Sequence, residues 1–282
     1  MLNVSLMTWP YLAPGEQGRN PSVSSLCDLA RELKVDGLDW ITMQGHDPRE
    51  TRKITDGYGL KNICYTFFSD LEKPDVAARR RSMDVAKESL DVARLLGADK
   101  VMVAMGGQEG FPRQEARRYV IEAFASYVPL AQSAGITVTV EDFPTIWSPF
   151  LTSSDMNEAV AAVPGMKVTF DSGNCLIGGE QPLDMYRNCR EHVVHVHFKD
   201  MVLCPKGPKS RSALDGKFYD TAELMGEGIV GFRACLQAME DAGCEGYVDF
   251  EYEGSKYPPF EAARKGVPYL RELYGSISRK RQ

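Results

Sequence analysis

Eight short runs of β-branched and apolar residues recur along the chain, and a longer stretch with helical spacing follows each one. The runs are 3–8 (NVSLMT), 37–43 (GLDWITM), 60–66 (LKNICYT), 99–105 (DKVMVAM), 136–141 (ITVTVE), 166–171 (MKVTFD), 193–198 (VVHVHF) and 246–251 (GYVDFE). The helical patterns fall at about 22–34, 48–57, 75–96, 113–134, 153–163, 182–190, 230–242 and 259–273. In the first of them Leu26, Leu29, Ala30 and Leu33 repeat at the spacing of one helix face. Several patterns end in a glycine just before the next strand, as in LLGADK, SAGITV, VPGMKV and DAGCEG. Strand, helix and glycine turn, repeated without a Pro- or Ser-rich linker, predict an α/β fold of the (β/α)8 TIM-barrel type. The 282 residues suit one such domain spanning 1–282, with a loop insertion at about 201–220 and a short basic C-terminal tail. A doubly wound sheet would carry a glycine-rich first turn, but TWPYLAPGEQG has no GxGxxG.

Polar residues break the apolar rhythm at the ends of the last four runs. ITVTVEDFP, MKVTFDSGN, VVHVHFKD and YVDFEYEG offer Glu141, Asp171, His197 and Glu251, each just before a loop. A buried carboxylate is costly unless it is paired, and one divalent cation is the simplest partner all four residues can share. Barrel enzymes draw their catalytic residues from the C-terminal ends of several strands, which is where these four fall. The two-residue strand period puts Thr139 with Glu141, Thr169 with Asp171, and His195 with His197 on common sides; Asp249, Glu251 and Glu253 share another. Three carboxylates and one imidazole suit Mn²⁺ best, with Mg²⁺ and Co²⁺ as alternatives, rather than a closed structural Zn²⁺ site. Such an ion would polarise a carbonyl and stabilise an enediolate. Glu141 and Glu251 come from opposite sides of the set, so one could remove a carbon-bound proton and the other return it.

Composition narrows the partners. The chain is 43% hydrophobic and 26% charged, ordinary for a soluble protein. A net charge of −6 and a pI near 5.4 argue against nucleic acid or an anionic membrane as general partners. The first residues lack a basic segment, and no apolar run nears the ~18 residues of a membrane span. Seven cysteines, an odd number without CxxC spacing, read as reduced thiols in a cytoplasmic protein.

VEDFP, FDSGN, HVHFKD, the following GEG and GYVDFEYEG together resemble the xylose-isomerase-like TIM-barrel superfamily, in particular its sugar-phosphate isomerase/epimerase branch. That branch includes ketose 3-epimerases, inosose dehydratase and hydroxypyruvate isomerase, and the resemblance covers nearly the whole chain. It implies that Glu141, Asp171, His197 and Glu251 bind the metal and that Glu141 and Glu251 form the acid/base pair. It also implies a small carbohydrate substrate, and it is compatible with a homo-oligomer. Two positions depart from the epimerase pattern. Asn174 stands where a His is usual, and Lys199, Asp200 and a long insertion replace an Arg shortly after His197. The reading is therefore a metal-dependent isomerase or epimerase. Its alternative is a dehydratase or lyase using the same site. An endonuclease-IV-like nuclease would need more histidines than the four present. A non-catalytic barrel has no use for an intact ligand set.

Other residues at the same end of the barrel are candidate substrate contacts: Trp9, His46, Tyr65, Asn174 and Lys199. Trp9, Tyr65, Phe67 and Phe68 could form an apolar wall over a sugar ring, with core packing the simpler role for the two Phe. Asp200 reads either as an acceptor orienting His197 or as a turn residue. GEGIVGF reads as a glycine turn or a phosphate cradle. In the insertion, Lys206, Lys209 and Arg211 read either as a solvated charged loop or as a lid that meets an anionic substrate.

Overall fold

A computed structural model of the protein describes residues 2–12, 21–222, 224–244 and 246–278. Eight parallel strands close a barrel. They are β1 (Asn3–Met7), β2 (Gly37–Ile41), β3 (Lys61–Phe68), β4 (Lys100–Ala104), β5 (Thr137–Glu141), β6 (Lys167–Asp171), β7 (Val193–Phe198) and β11 (Tyr247–Phe250). Around the barrel they run β1-β11-β7-β6-β5-β4-β3-β2, so β5, β6, β7 and β11 form one contiguous arc. The chain therefore has the (β/α)8 TIM-barrel fold.

Helices α2 (Val23–Glu32), α3 (Pro48–Tyr58), α4 (Val76–Leu96), α5 (Arg113–Ser133), α6 (Ser153–Ala162), α7 (Pro182–Cys189), α8 (Phe232–Asp241) and α9 (Pro259–Ser278) fall between and after the strands; a single turn, α1 (Trp9–Leu12), follows β1. Local chemistry sets their ends. Asp47 accepts from the Arg49 and Glu50 amides and Pro48 takes the first position of α3, while Thr152 and Asp155 form a reciprocal capping box on α6. The apolar strand residues that face outward, among them Val140, Phe170, Phe198 and Phe250, are fully buried beneath the helices. Phe198 packs on Phe232 of α8 with ring centroids 5.0 Å apart.

Two strand ends differ from the expectation by two residues. The second strand ends at Ile41 because Thr42 turns into the left-handed region at φ 53, an uncommon and strained place for a β-branched residue. The third strand runs on to Phe68, because Phe67 and Phe68 pair with Val103 and Ala104 of β4. The insertion forms a three-stranded antiparallel sheet, β8 (Met201–Leu203), β9 (Arg211–Ser212) and β10 (Phe218–Thr221), in the order β8-β10-β9. The basic tail beyond 278 lies outside the described residues. No described helix is long and apolar enough to cross a membrane.

Candidate active site at the mouth of the barrel

The polar strand ends converge. One ligand-type atom from each of Glu141, Asp171, His197 and Glu251 lies within 4.8 Å of the others, and all four side chains are buried. His197 Nδ1 is 2.6 Å from Glu141 Oε1 and 3.6 Å from Glu251 Oε2. Asp171 Oδ1 accepts from the Gly173 and Asn174 amides at 2.7 Å each. Gly173 is needed there, since a Cβ would stand 2.8 Å from the Lys199 carbonyl oxygen. These bonds aim the other oxygen, Oδ2, into the cluster. Asp171 Oδ2 and Glu251 Oε2 are buried without a hydrogen-bond partner. Buried acceptors left over in a set of three carboxylates and one imidazole fit a hard divalent cation.

Beneath the cluster lies a residue the sequence reading did not single out. Asp39, in the middle of β2, is fully buried, and its Oδ2 faces His195 Nε2 at 2.5 Å and His197 Nε2 at 2.9 Å. Burial alone would raise the Asp39 carboxyl, but the two histidines outweigh it and hold the group below the usual carboxylate range. An ionised Asp39 can only accept, so both imidazoles donate from Nε2. That leaves His197 Nδ1 facing the carboxylates, and it places His195 one layer below the cluster as a structural partner. Burial keeps His195 below its ordinary pKa. Asp142 was also missed: it is fully buried, and its Oδ1 accepts the Asp171 amide at 2.9 Å. An aspartate inside an apolar strand run, as in GLDWI, was the available signal for Asp39, because such a charge needs a buried partner.

Lys199 lies at the centre of the charge balance. It is 2% exposed, and its ammonium is 2.7 Å from Glu251, 3.4 Å from Asp171 and 3.5 Å from Glu253. Burial opposes its charge, but these carboxylates prevail and hold its pKa well above the usual lysine value. Burial pushes Glu251 well above the usual range, with Lys199 opposing, and pushes Glu141 up, with His197 opposing. Glu253 is held down at about 2, chiefly by Lys199 and Arg211 acting against its burial.

A cavity of about 220 Å³ opens over this floor, lined by Glu141, Asn174, Lys199, Glu251 and Glu253 on one side and largely by apolar residues on the other. Trp9, Asn174 and Lys199 line it, and both amide atoms of Asn174 are buried and unpartnered. His46 and Tyr65 do not line it. Tyr65 alternates with Thr66, so its ring points out to the helix layer, while His46 sits in the turn after β2. Phe67 is core and Phe68 is cavity wall. Asp200 is the turn residue, not an orienter of His197: its carboxylate accepts from the amides of Met201, Gly226, Gly228 and Val230. The insertion does not bring three cations to the mouth. Arg211 is bound to Glu253 at 2.7 Å, and Lys206 and Lys209 are exposed and off the cavity wall.

The family model for the xylose isomerase-like TIM barrel matches residues 27–273, and the chain belongs to that family. The inosose dehydratase of Klebsiella pneumoniae subsp. pneumoniae is 32% identical over 251 residues, covering 81% of this chain and 82% of that one. The match to inosose dehydratase of Lacticaseibacillus casei is 28% identical over 110 residues, so the chain spans only 37% of that relative's length. Among solved structures, an L-ribulose 3-epimerase superposes with a TM-score of 0.79 at 14% identity, covering 99% of this chain and 97% of the other, a likeness of fold.

Proposed function

We propose that this member of the xylose isomerase-like TIM barrel family is a metal-dependent isomerase or epimerase that moves a proton on the carbon beside the carbonyl of a sugar. The observation behind this reading is the convergence of Glu141, Asp171, His197 and Glu251 on one point at the cavity floor. These four residues would hold one divalent ion, Mn²⁺ by donor type, and when bound it would withdraw electron density from a substrate carbonyl. Glu141 ends β5 and Glu251 directly follows β11, the two outer strands of the arc, and both line the cavity. A substrate lying between them has a carboxylate on either side, one to take the proton and one to return it. Asn174 offers an unpaired donor and acceptor for substrate hydroxyls. Trp9 supports the ring from the opposite wall.

A second reading is favoured by Lys199. Its ammonium, 2.7 Å from Glu251, could give a proton to the hydroxyl that departs as the C–O bond breaks, so that the same removal of a carbon-bound proton by a glutamate ends in loss of water. The dehydratase names of the sequence relatives point the same way.

Both readings begin with proton abstraction, and isotope exchange tests it. Incubated with Mn²⁺ and a ketose panel in D₂O, the protein should incorporate deuterium at one carbon, with retention of the hydroxyls in an epimerase and enone absorbance in a dehydratase. Glu141→Gln and Glu251→Gln should each slow exchange or turnover by ~10²-fold or more. Near-normal turnover in Glu251→Gln would leave a one-base elimination through Glu141 as the better mechanism. The absence of both deuterium uptake and enone absorbance with every ketose would remove both readings.

A further inference from the structure

The wall of the cavity is divided by strand. β5, β7 and β11 contribute Glu141, Lys199 and Glu251 at or just past their ends. The facing strands β1 to β4 contribute Met7, Ile41, Phe68, Met102 and Ala104, with one hydroxyl, that of Thr66. A hydroxyl of substrate laid against that half would give up water and find almost no partner, which costs affinity. At its outer edge Trp9 is 45% exposed and Phe68 57% exposed, so two large rings that line a polar-floored cavity still face water. A ligand seated by its oxygens on the floor would cover them with whatever group it carries on that side.

The charges point to a second property. Among the described residues the cavity wall holds three glutamates and a single cation, Lys199. That ammonium already faces three carboxylates, and Arg211 behind it is taken by Glu253. The usual phosphate site of such barrels is also closed. It lies in the loops after the seventh and eighth strands, where backbone amides open a helix. Here the amides of Gly226 and Gly228, 2.8 Å from Asp200 Oδ2, and of Val230, 3.2 Å from Oδ1, are filled by the chain's own carboxylate. The fit is tight: a Cβ on Gly228 would stand 2.2 Å from Asp200 Oδ1.

We infer that the substrate is an uncharged keto-sugar bearing an apolar substituent, not a sugar phosphate. Its adjacent oxygens face the arc of β5, β6, β7 and β11, and its apolar group lies on Trp9 and Phe68. The inference rests on the function proposed above for the choice of a keto-sugar, and adds charge and shape.

Equilibrium binding to the Mn²⁺-loaded protein tests it, using 3-ketoglucose, its 6-phosphate and its phenyl β-glycoside. The phenyl glycoside should bind about tenfold more tightly than the free sugar, and the 6-phosphate about tenfold more weakly. Phe68→Ala should abolish most of the phenyl advantage, so that the phenyl glycoside and free 3-ketoglucose bind the variant with nearly equal affinity. A 6-phosphate that binds as well as the free sugar, a phenyl group that adds nothing, or no binding by any of the three would overturn the inference. Deuterium exchange, followed in parallel, separates the two levels. If the binding order holds without exchange, the proposed chemistry falls and the substrate class stands.

Discussion

Asp39 ties the chemistry of the mouth to a strand on the other side of the barrel. Its one carboxylate oxygen receives two imidazole donors, so it sets the tautomer and the angle of His197 at once. Asp39→Asn keeps the size but removes the charge that makes Nε2 the protonated nitrogen. The variant should bind Mn²⁺ roughly 10–100-fold more weakly in a chelator-competition titration, with an unchanged far-UV circular dichroism spectrum. Wild-type affinity in Asp39→Asn would show that His197 needs no such partner. The contrast with the four strand-end residues shows what a sequence can reveal about a site. Glu141, Asp171, His197 and Glu251 stand out because each is polar at or next to the last position of an apolar run. Asp39 closes no run, and its partners are more than 150 positions away, so only the closed barrel brings them within reach. Lys199 was legible as a residue at the mouth, but its enclosure by three carboxylates depends on the Glu253 side chain turning inward, which periodicity does not dictate.

At the scale of elements, the loops above the strands are fastened to one another by single buried groups. Glu72, on the loop between β3 and α4, is 1% exposed; its Oε1 accepts the Gly107 amide at 3.2 Å on the loop after β4, and its other oxygen has no partner. Burial, only partly opposed by hydrogen bonds and Lys73, pushes its carboxyl from 4.5 up to about 7. Between those values the folded protein keeps a proton that the unfolded chain has lost. The stability this group supports is therefore fully present below about pH 4.5 and is lost as pH rises through about 7. Glu72→Gln keeps an acceptor and removes the charge. It should be more stable than the parent at pH 8 by roughly 2 kcal/mol and about equal to it at pH 4.5, measured by urea unfolding. The same offset at both pH values would mean that the carboxyl is not neutral in the folded state. Strand and helix positions themselves were readable from the sequence because each strand alternates and each helix has one apolar face. The sheet in the insertion was not, since CPKGPKS excludes a helix but strands of two to four residues carry no period to read.

On the scale of the whole molecule, the barrel concentrates negative charge in its own interior. Glu141, Asp142, Asp171, Asp249 and Glu251 are all buried at or just below the mouth, against Lys199 and the two histidines. Burial pushes Asp142 and Asp249 well above the ordinary carboxylate range, with neighbouring aspartates adding to it, so the fold tolerates these groups partly by keeping protons on them. A divalent cation on the four converging side chains would relieve that repulsion in the folded state alone, which makes metal binding a stability term. At a free ion concentration about 100 times the dissociation constant the gain is ~2.7 kcal/mol. For a protein of this size that corresponds to a Tm roughly 5 °C higher with Mn²⁺ than with excess chelator. The shift should be reversible, saturate at about one ion per chain, and shrink in Asp171→Asn and His197→Ala, which lose ligands without opening the hydrophobic layer. A scanning calorimetry trace that is the same with Mn²⁺ and with chelator would mean that Lys199 and retained protons already balance the cluster, and the metal assignment would fail with it.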